Sequence, residues 1–165
     1  MSKLQTTYDR SPLGITKIVG NENGIQLVSL LDENTATHQE TAQDALAECL
    51  VKAKQQLQEY FAGSRTTFNL TLAPQGTTFQ QKVWKALLCI PFSSTRSYAA
   101  QSKALGNSKA IRAVAAANGK NPIAIIIPCH RVIGSDGSLT GYAGGLWRKK
   151  WLLAHENPLK QQSLF

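Results

Sequence analysis

The sequence predicts a mixed α/β fold of the segregated α+β kind, with a small sheet-and-helix half ahead of a mainly helical half. Three observations predict it. Two apolar strands flank an Asn-Gly turn near the start. Apolar residues then recur at three- and four-residue spacing. The charge changes sign near residue 76, just after the turn Ala73-Pro74-Gln75-Gly76. We place a domain boundary there, giving residues 1–75 and 76–165. A chain of 165 residues can bury a core as one larger domain or two small ones.

Gly14–Val19 and Gly24–Leu31 read as strands. They flank Asn21-Glu22-Asn23-Gly24, and Asn-Gly is a strong hairpin signal. A helix is predicted over about 41–61, where Ala45, Leu46, Leu50, Ala53, Leu57 and Phe61 keep helical spacing. Gly63 ends it. Phe68–Leu72 alternates and reads as a strand. In the second half, Thr77 or Thr78 caps a helix with Phe79, Val83, Trp84 and Leu87 on one face. Ile90-Pro91-Phe92 breaks it. Helices over Tyr98–Leu105 and about Ser108–Ala117 follow, joined by Gly106-Asn107. Two helices around a glycine turn in a basic segment form the pattern of a helix-turn-helix.

The net charge of +8 is unevenly placed. Residues 1–79 hold six basic and eight acidic side chains; residues 80–165 hold twelve basic ones against Asp136 and Glu156 alone. The second half is therefore aimed at a polyanion. No apolar run approaches the roughly 18 residues of a membrane span, and the first ten residues lack a signal-peptide core. A cytoplasmic protein without membrane contact is expected. Cys49, Cys89 and Cys129 form no C-x-x-C pair, which argues against a disulfide framework or a zinc site. Cys49 and Cys89 lie in apolar helical patterns and read as packing residues.

Cys129 is different. It sits in Ile127-Pro128-Cys129-His130-Arg131-Val132, after an apolar run that begins at Ile123. Two neighbours able to carry positive charge favour the thiolate, which is the nucleophile. The segment Ala110–Ala117 carries little bulk besides Ile111, Arg112 and Val114. Base-reading helices usually present several long polar side chains. An alanine face instead lets a backbone approach a partner closely, or packs in a core.

Together Phe79-Gln80 through Trp84, Ser97-Tyr98, Asn121-Pro122, Pro128–Val132, Gly141–Gly145 and Trp151–Glu156 resemble the O6-alkylguanine-DNA alkyltransferases. The match is specific over about residues 79–157. The resemblance implies an RNase H-like N-terminal domain and a winged helix-turn-helix catalytic domain. It implies irreversible, single-turnover transfer of an alkyl group from O6 of guanine, or O4 of thymine, to Cys129. The partner is double-stranded DNA bound through the minor groove by a monomer. No cofactor is implied.

The resemblance also assigns roles. Arg112 fills the space of an extruded nucleotide, and Tyr98 helps rotate it and supplies a proton to the leaving base. Ser97, Ala110 and Ala113 lie with them on the DNA side. His130, oriented by Glu156, draws the Cys129 proton through a water, since adjacent extended side chains would point apart. Asn121 braces the turn before the active site. The carbonyls of Cys129 and Val132 accept from the guanine amine, and Tyr142 and Ala143 line the pocket. Ala143 stands where some members have Ser, and Ala124, where some have Pro, alters a pocket wall. Some members hold zinc in the first domain; only Cys49 and His38 are available here, so no metal is expected.

Plainer readings stand beside these. Arg131 reads as structural or phosphate-facing. Lys149 and Lys150, after Arg148, read as solvating a helix face. A winged-helix regulator with a sensing or inert Cys129, and a thiol hydrolase of small molecules, remain open at this level.

Overall fold

The computed structural model describes residues 3–35 and 40–157; His38 lies outside them. Strands β1 (Gln5–Ser11), β2 (Gly14–Asn21) and β3 (Gly24–Leu31) pair antiparallel in that order. The β2–β3 turn closes where the Asn-Gly signal lies. The Asn23 N–H donates to the Asn21 side chain at 2.9 Å, and Gly24 takes a φ of +139°, which favours glycine. The register shifts at Val19/Gly20, leaving Gln26 as the extra residue of a bulge. Ile25, Val28 and Leu30 therefore all point inward although they break strict alternation.

The structure corrects the sequence reading at three places in this half. β1 was not anticipated, because its Asp9 and Arg10 break the apolar alternation. As an edge strand it tolerates them. The helix α1 starts at Glu48, not near 41, and runs to Phe61. Gln5 of β1 sets that start: its Oε1 accepts from the Ala47 N–H at 2.7 Å and its Nε2 donates to the Ala45 carbonyl at 2.8 Å. Phe68–Leu72 is irregular apart from a bridge between Leu72 and Ile25. There the Gln56 side chain bonds both backbone groups of Asn69, replacing a strand partner.

α1 buries Leu50, Ala53, Leu57 and Tyr60 against the sheet. Gly63, at φ +85°, ends it. The Ser64 N–H reaches the Glu59 carbonyl and the Gly63 N–H that of Tyr60, a Schellman closure.

Backbone contacts group residues 1–75 with 122–124, and 76–121 with 125–165. The excursion of 122–124 has a plain cause. Val28 donates to the Pro122 carbonyl at 2.9 Å and accepts from the Ala124 N–H at 3.0 Å, which covers an edge of β3.

The second unit opens with α2 (Thr78–Leu87), capped by Thr77 and Gln80 in a reciprocal capping box. Val83, Trp84 and Leu87 are buried, whereas Phe79 is exposed at the first turn. The Trp84 indole N–H donates to the Ala117 carbonyl at 2.9 Å, fastening α2 to α4 (Ile111–Gly119). α3 (Tyr98–Ala104) is capped by Ser97, which accepts from the Ala100 N–H. It closes on Gly106 (φ +85°) with the same Schellman bonds as α1. The short strands β4 (Arg96–Ser97) and β5 (Val132–Ile133) pair in parallel. That pairing carries the start of α3 to the segment following Cys129. α5 (Leu146–Glu156) completes the unit. No described helix is long and apolar enough to cross a membrane.

One packing prediction follows from Gly76. A Cβ there would overlap the Trp84 ring, and that ring cannot retreat without losing its bond to Ala117. Gly76→Ala should destabilise the protein by about 1–3 kcal/mol, read as a lower midpoint in urea unfolding with an unchanged slope.

Candidate active site

Cys129, His130 and Arg131 form a single 3-10 turn after Pro128, not the extended segment the sequence suggested. Successive side chains of such a turn diverge by about 120°, so His130 still points away from the thiol. It points at Glu156, the last residue of α5. His130 Nε2 lies 2.7 Å from Glu156 Oε2, and both side chains are buried. Arg131 forks onto the same carboxylate, Nε to Oε1 at 2.8 Å and an Nη to Oε2 at 3.1 Å. Its other Nη donates to the Ile90 carbonyl at 2.7 Å. Arg131 is thus structural, as its plainer reading had it, and the partner it holds is Glu156.

These contacts fix protonation. Burial alone would raise the Glu156 carboxyl, but the bonds from His130 and Arg131, the charge of Arg131 and, at pH low enough to protonate it, the charge of His130 bring it down to about 2. Burial holds His130 below its ordinary range; its bond to Glu156 opposes this, and the charges of Arg131 and Lys149 add to it. A carboxylate only accepts, so the imidazole carries its proton on Nε2 and a lone pair on Nδ1. His130 Nδ1 has no hydrogen-bond partner among the described residues.

Burial also pushes the Cys129 thiol up. A bond from Asn121 and the charge of Lys149 pull the other way. The positive neighbour that matters is therefore not one of the two flanking residues: His130 is neutral and Arg131 is spent on Glu156. It is Lys149. Lys149 is fully buried, contrary to the solvated face expected from the sequence. Its ammonium donates to the carbonyls of Val132 at 2.6 Å and Gly141 at 3.0 Å, and to Tyr98 Oη at 3.5 Å. Carbonyl oxygens compensate the buried charge. Arg148 is buried too, donating to the Gly144 carbonyl at 2.8 Å.

Asn121 Nδ2 donates to the Ile127 carbonyl at 2.7 Å and to Cys129 Sγ at 3.3 Å. A cavity of about 510 Å³ opens in front of the thiol, lined by Tyr98, Arg112, Asn118, Cys129, Tyr142 and Ala143 among others. The structure thus brings five of the sequence-selected residues to one cavity. His130, Glu156, Asn121 and Val132 stand outside its lining. Ser97 caps α3, Ala110 is the residue before α4, and Ala113 is exposed on α4. Ala124 pairs with Val28 and does not line the cavity. The carbonyl of Cys129 accepts from the Val132 N–H and that of Val132 from Lys149; each retains a second lone pair. Cys89 is exposed rather than packed, and the Cys49 thiol donates to the Asn21 carbonyl. Asn118 also lines the cavity; a lone polar residue late in an alanine helix is its only signal in the sequence.

A thiol that opens into a cavity lined by residues of two helices joined at a glycine turn, next in sequence to a buried histidine–carboxylate pair, fits a DNA-directed group-transfer protein with a cysteine acceptor. Comparison with known proteins narrows the class. Residues 78–158 match the DNA-binding domain of 6-O-methylguanine DNA methyltransferase, and residues 4–74 match its ribonuclease-like domain. The methylated-DNA–protein-cysteine methyltransferase of Methanosarcina acetivorans is 46% identical over 146 residues, 88% of this chain and 94% of that protein. The constitutive enzyme of that name from Bacillus subtilis is 49% identical over 141 residues, 84% of this chain and 86% of its own. The crystal structure of the Mycobacterium tuberculosis enzyme in complex with DNA superposes with a TM-score of 0.81 at 44% identity, covering 94% of this chain and 92% of that one. The chain belongs to the 6-O-methylguanine DNA methyltransferase family.

The buried His130–Glu156 pair makes stability depend on pH. A histidine held below its ordinary value of 6.5 favours unfolding once the unfolded chain takes up protons, so stability falls as pH drops below about 6.5. Glu156 adds stability above its ordinary 4.5 that is lost as pH falls towards about 2, on the order of 3 kcal/mol in all. Calorimetry across pH 8 to 3 should therefore show a melting temperature that declines in two stages. A melting temperature constant from pH 7 to 5 would mean that His130 is not held neutral.

Proposed function

We propose that this protein repairs alkylated DNA by direct reversal, moving the alkyl group of O6-alkylguanine, or O4-alkylthymine, in duplex DNA onto Cys129. The observation that carries the reading is one thiol, backed by the His130–Glu156 pair, in a cavity it shares with Tyr98 and Arg112 of the helix-turn-helix. The family membership and the names of the relatives support it.

The chemistry follows from the protonation states. Cys129 rests as a thiol, because burial disfavours its charge. His130 offers a lone pair at Nδ1, and a water between it and Cys129 relays the proton. Glu156 then stabilises the imidazolium that forms. The Sγ lone pair attacks the alkyl carbon in line, forming the S–C bond as the C–O6 bond breaks. The electron pair of that bond stays on the base, which takes a proton at N3 from Tyr98. Lys149, beside the Tyr98 hydroxyl, stabilises the phenolate left behind. The product is a thioether, which offers no leaving group for hydrolysis, so each molecule acts once.

A base inside a duplex cannot reach this cavity without leaving the stack. Arg112, exposed on α4 at the cavity, fills the space it vacates. Ala113 and Ala116, also exposed, allow α4 to enter a minor groove, which is narrow and read mainly by shape. Asn121 braces Ile127 and the thiol, and the free lone pairs of the Cys129 and Val132 carbonyls accept from the guanine amine. Tyr142 and Ala143 close the pocket. We take the acting species to be a monomer. A DNA substrate sets the place of action inside the cell, in line with a cytoplasmic protein.

Intact-mass spectrometry tests the reading. Mixing with an O6-methylguanine duplex should add one methyl per protein, mapped by peptide analysis to Cys129, and Cys129→Ala should bind DNA yet gain nothing. A methyl found on Cys49 or Cys89 would refute the assignment. The relay makes a second prediction. Glu156→Gln and His130→Ala should each slow transfer by a factor on the order of 10² to 10⁴, with DNA affinity nearly unchanged. The double variant should be little slower than either single, because members of one relay are not additive. Losses that multiply in a folded double variant would rule the relay out.

A further inference from the structure

The two helices that carry Tyr98 and Arg112 are joined by an unusual contact. Gln101 of α3 and Asn118 of α4 are both buried and exchange a reciprocal pair of amide bonds. Gln101 Nε2 donates to Asn118 Oδ1 at 3.0 Å, and Asn118 Nδ2 donates to Gln101 Oε1 at 2.8 Å. The only residues of α3 that are buried are Gln101 and Ser102. α3 therefore buries no apolar side chain of its own, and its inward anchor is polar. Gln101 lies one turn after Tyr98, and Asn118 lines the same cavity as Tyr98, Arg112 and Cys129.

An apolar helix contact tolerates sliding and small rotations, because dispersion has no direction. Two facing amides do not. Both bonds form in one register, and any other leaves buried donors and acceptors unpaired. We propose that Gln101 and Asn118 are positioning residues: their reciprocal amide bonds hold α3 and α4 in the one register that sets Tyr98 against Arg112 across the cavity mouth. Their task is extrusion of the base from the duplex, not the chemistry of the thiol. The inference rests on the proposed roles of Arg112 and Tyr98.

The experiment measures methyl transfer from an O6-methylguanine duplex and from free O6-methylguanine, with melting temperatures in parallel. Gln101→Leu leaves the Asn118 amide buried and unpaired. Gln101→Leu/Asn118→Leu removes both polar groups and restores an apolar fit. Gln101→Asn/Asn118→Gln keeps the pair with its combined length unchanged. The ratio of duplex to free-base rates should fall by about 10- to 100-fold in the single and in the double leucine variant. In the double it should fall even though the melting temperature recovers. The exchanged pair should regain most of the ratio. If the single variant does not fold, the double leucine variant carries the comparison.

A wild-type ratio in the folded double leucine variant would reduce the pair to packing and overturn the proposal. So would equal losses on both substrates, which would place the pair in support of the pocket. An exchanged pair that folds but stays as slow as the leucine double would overturn it as well, since the bonds would not be what matters. Arg112→Ala serves as the control for the underlying reading. If it loses duplex and free-base transfer equally, the extrusion model fails, whatever the amide variants do.

Discussion

The catalytic unit depends on one buried carboxylate. Glu156 is one of two acids in residues 80–165, and it is nearly inaccessible. A lone carboxylate would be costly there. Hydrogen bonds from two adjacent residues make it tolerable, one from His130 and a forked pair from Arg131. His130 and Arg131 bring the 3-10 turn of Cys129 to the end of α5. The remaining Arg131 nitrogen reaches the Ile90 carbonyl, just past α2. The thiol is thereby located between two helices by a charge that never touches it. The same charge compels His130 to present Nδ1 as a lone pair, so on the proposed reading structural and chemical roles cannot be separated at this residue.

α5 extends the pattern. Its inward face carries Arg148, Lys149, Leu152 and Glu156, one apolar residue among three charged ones. The Lys149 ammonium donates to carbonyl oxygens, which carry no net charge, so its positive charge persists as a local field. Lys149 places that field at Tyr98 and at Cys129. The consequence is a resting thiol that burial keeps protonated while a nearby cation lowers the cost of losing the proton. On the proposed reading such a thiol rests protonated until His130 draws its proton through a water. That balance suits a protein whose acceptor can be used only once.

Local chemistry was legible in the sequence; long-range polar contacts were not. The Asn21–Gly24 turn, the Thr77–Gln80 capping box and the glycine closures at Gly63 and Gly106 are written in a few adjacent residues each. The start of α1 is not, because Gln5 supplies it from some forty positions away. The false strand at Phe68–Leu72 has a similar cause, since Gln56 takes the backbone bonds a neighbouring strand would have made. Among site residues, Cys129, His130 and Glu156 stood out through their order and spacing. Lys149 reads as surface because a Lys beside Arg and Lys usually is. Its burial is explained only by the carbonyls of Val132 and Gly141, which no local pattern reveals. The 3-10 turn at Cys129 was likewise hidden behind an apolar run that reads as extended.

The alanines of α4 admitted two explanations, a tightly packed core helix or an open face for close approach. Burial decides between them. Val114, Ala117 and Asn118 point inward, whereas Ala113 and Ala116 are exposed with Ile111 and Arg112. An open face of two methyl groups, one branched alkyl chain and one guanidinium has little with which to read base edges. On the proposed reading this is an advantage. A repair protein must work wherever the lesion lies, so its helix should be indifferent to sequence, while the basic surface supplies affinity through phosphates. Discrimination then falls to the cavity, where a base is accepted or refused only after it has left the stack. Such a division makes the orientation of α3 and α4 matter more than the identity of the exposed residues. A helix that reads nothing must still deliver Arg112 to the cavity that Tyr98 of α3 shares.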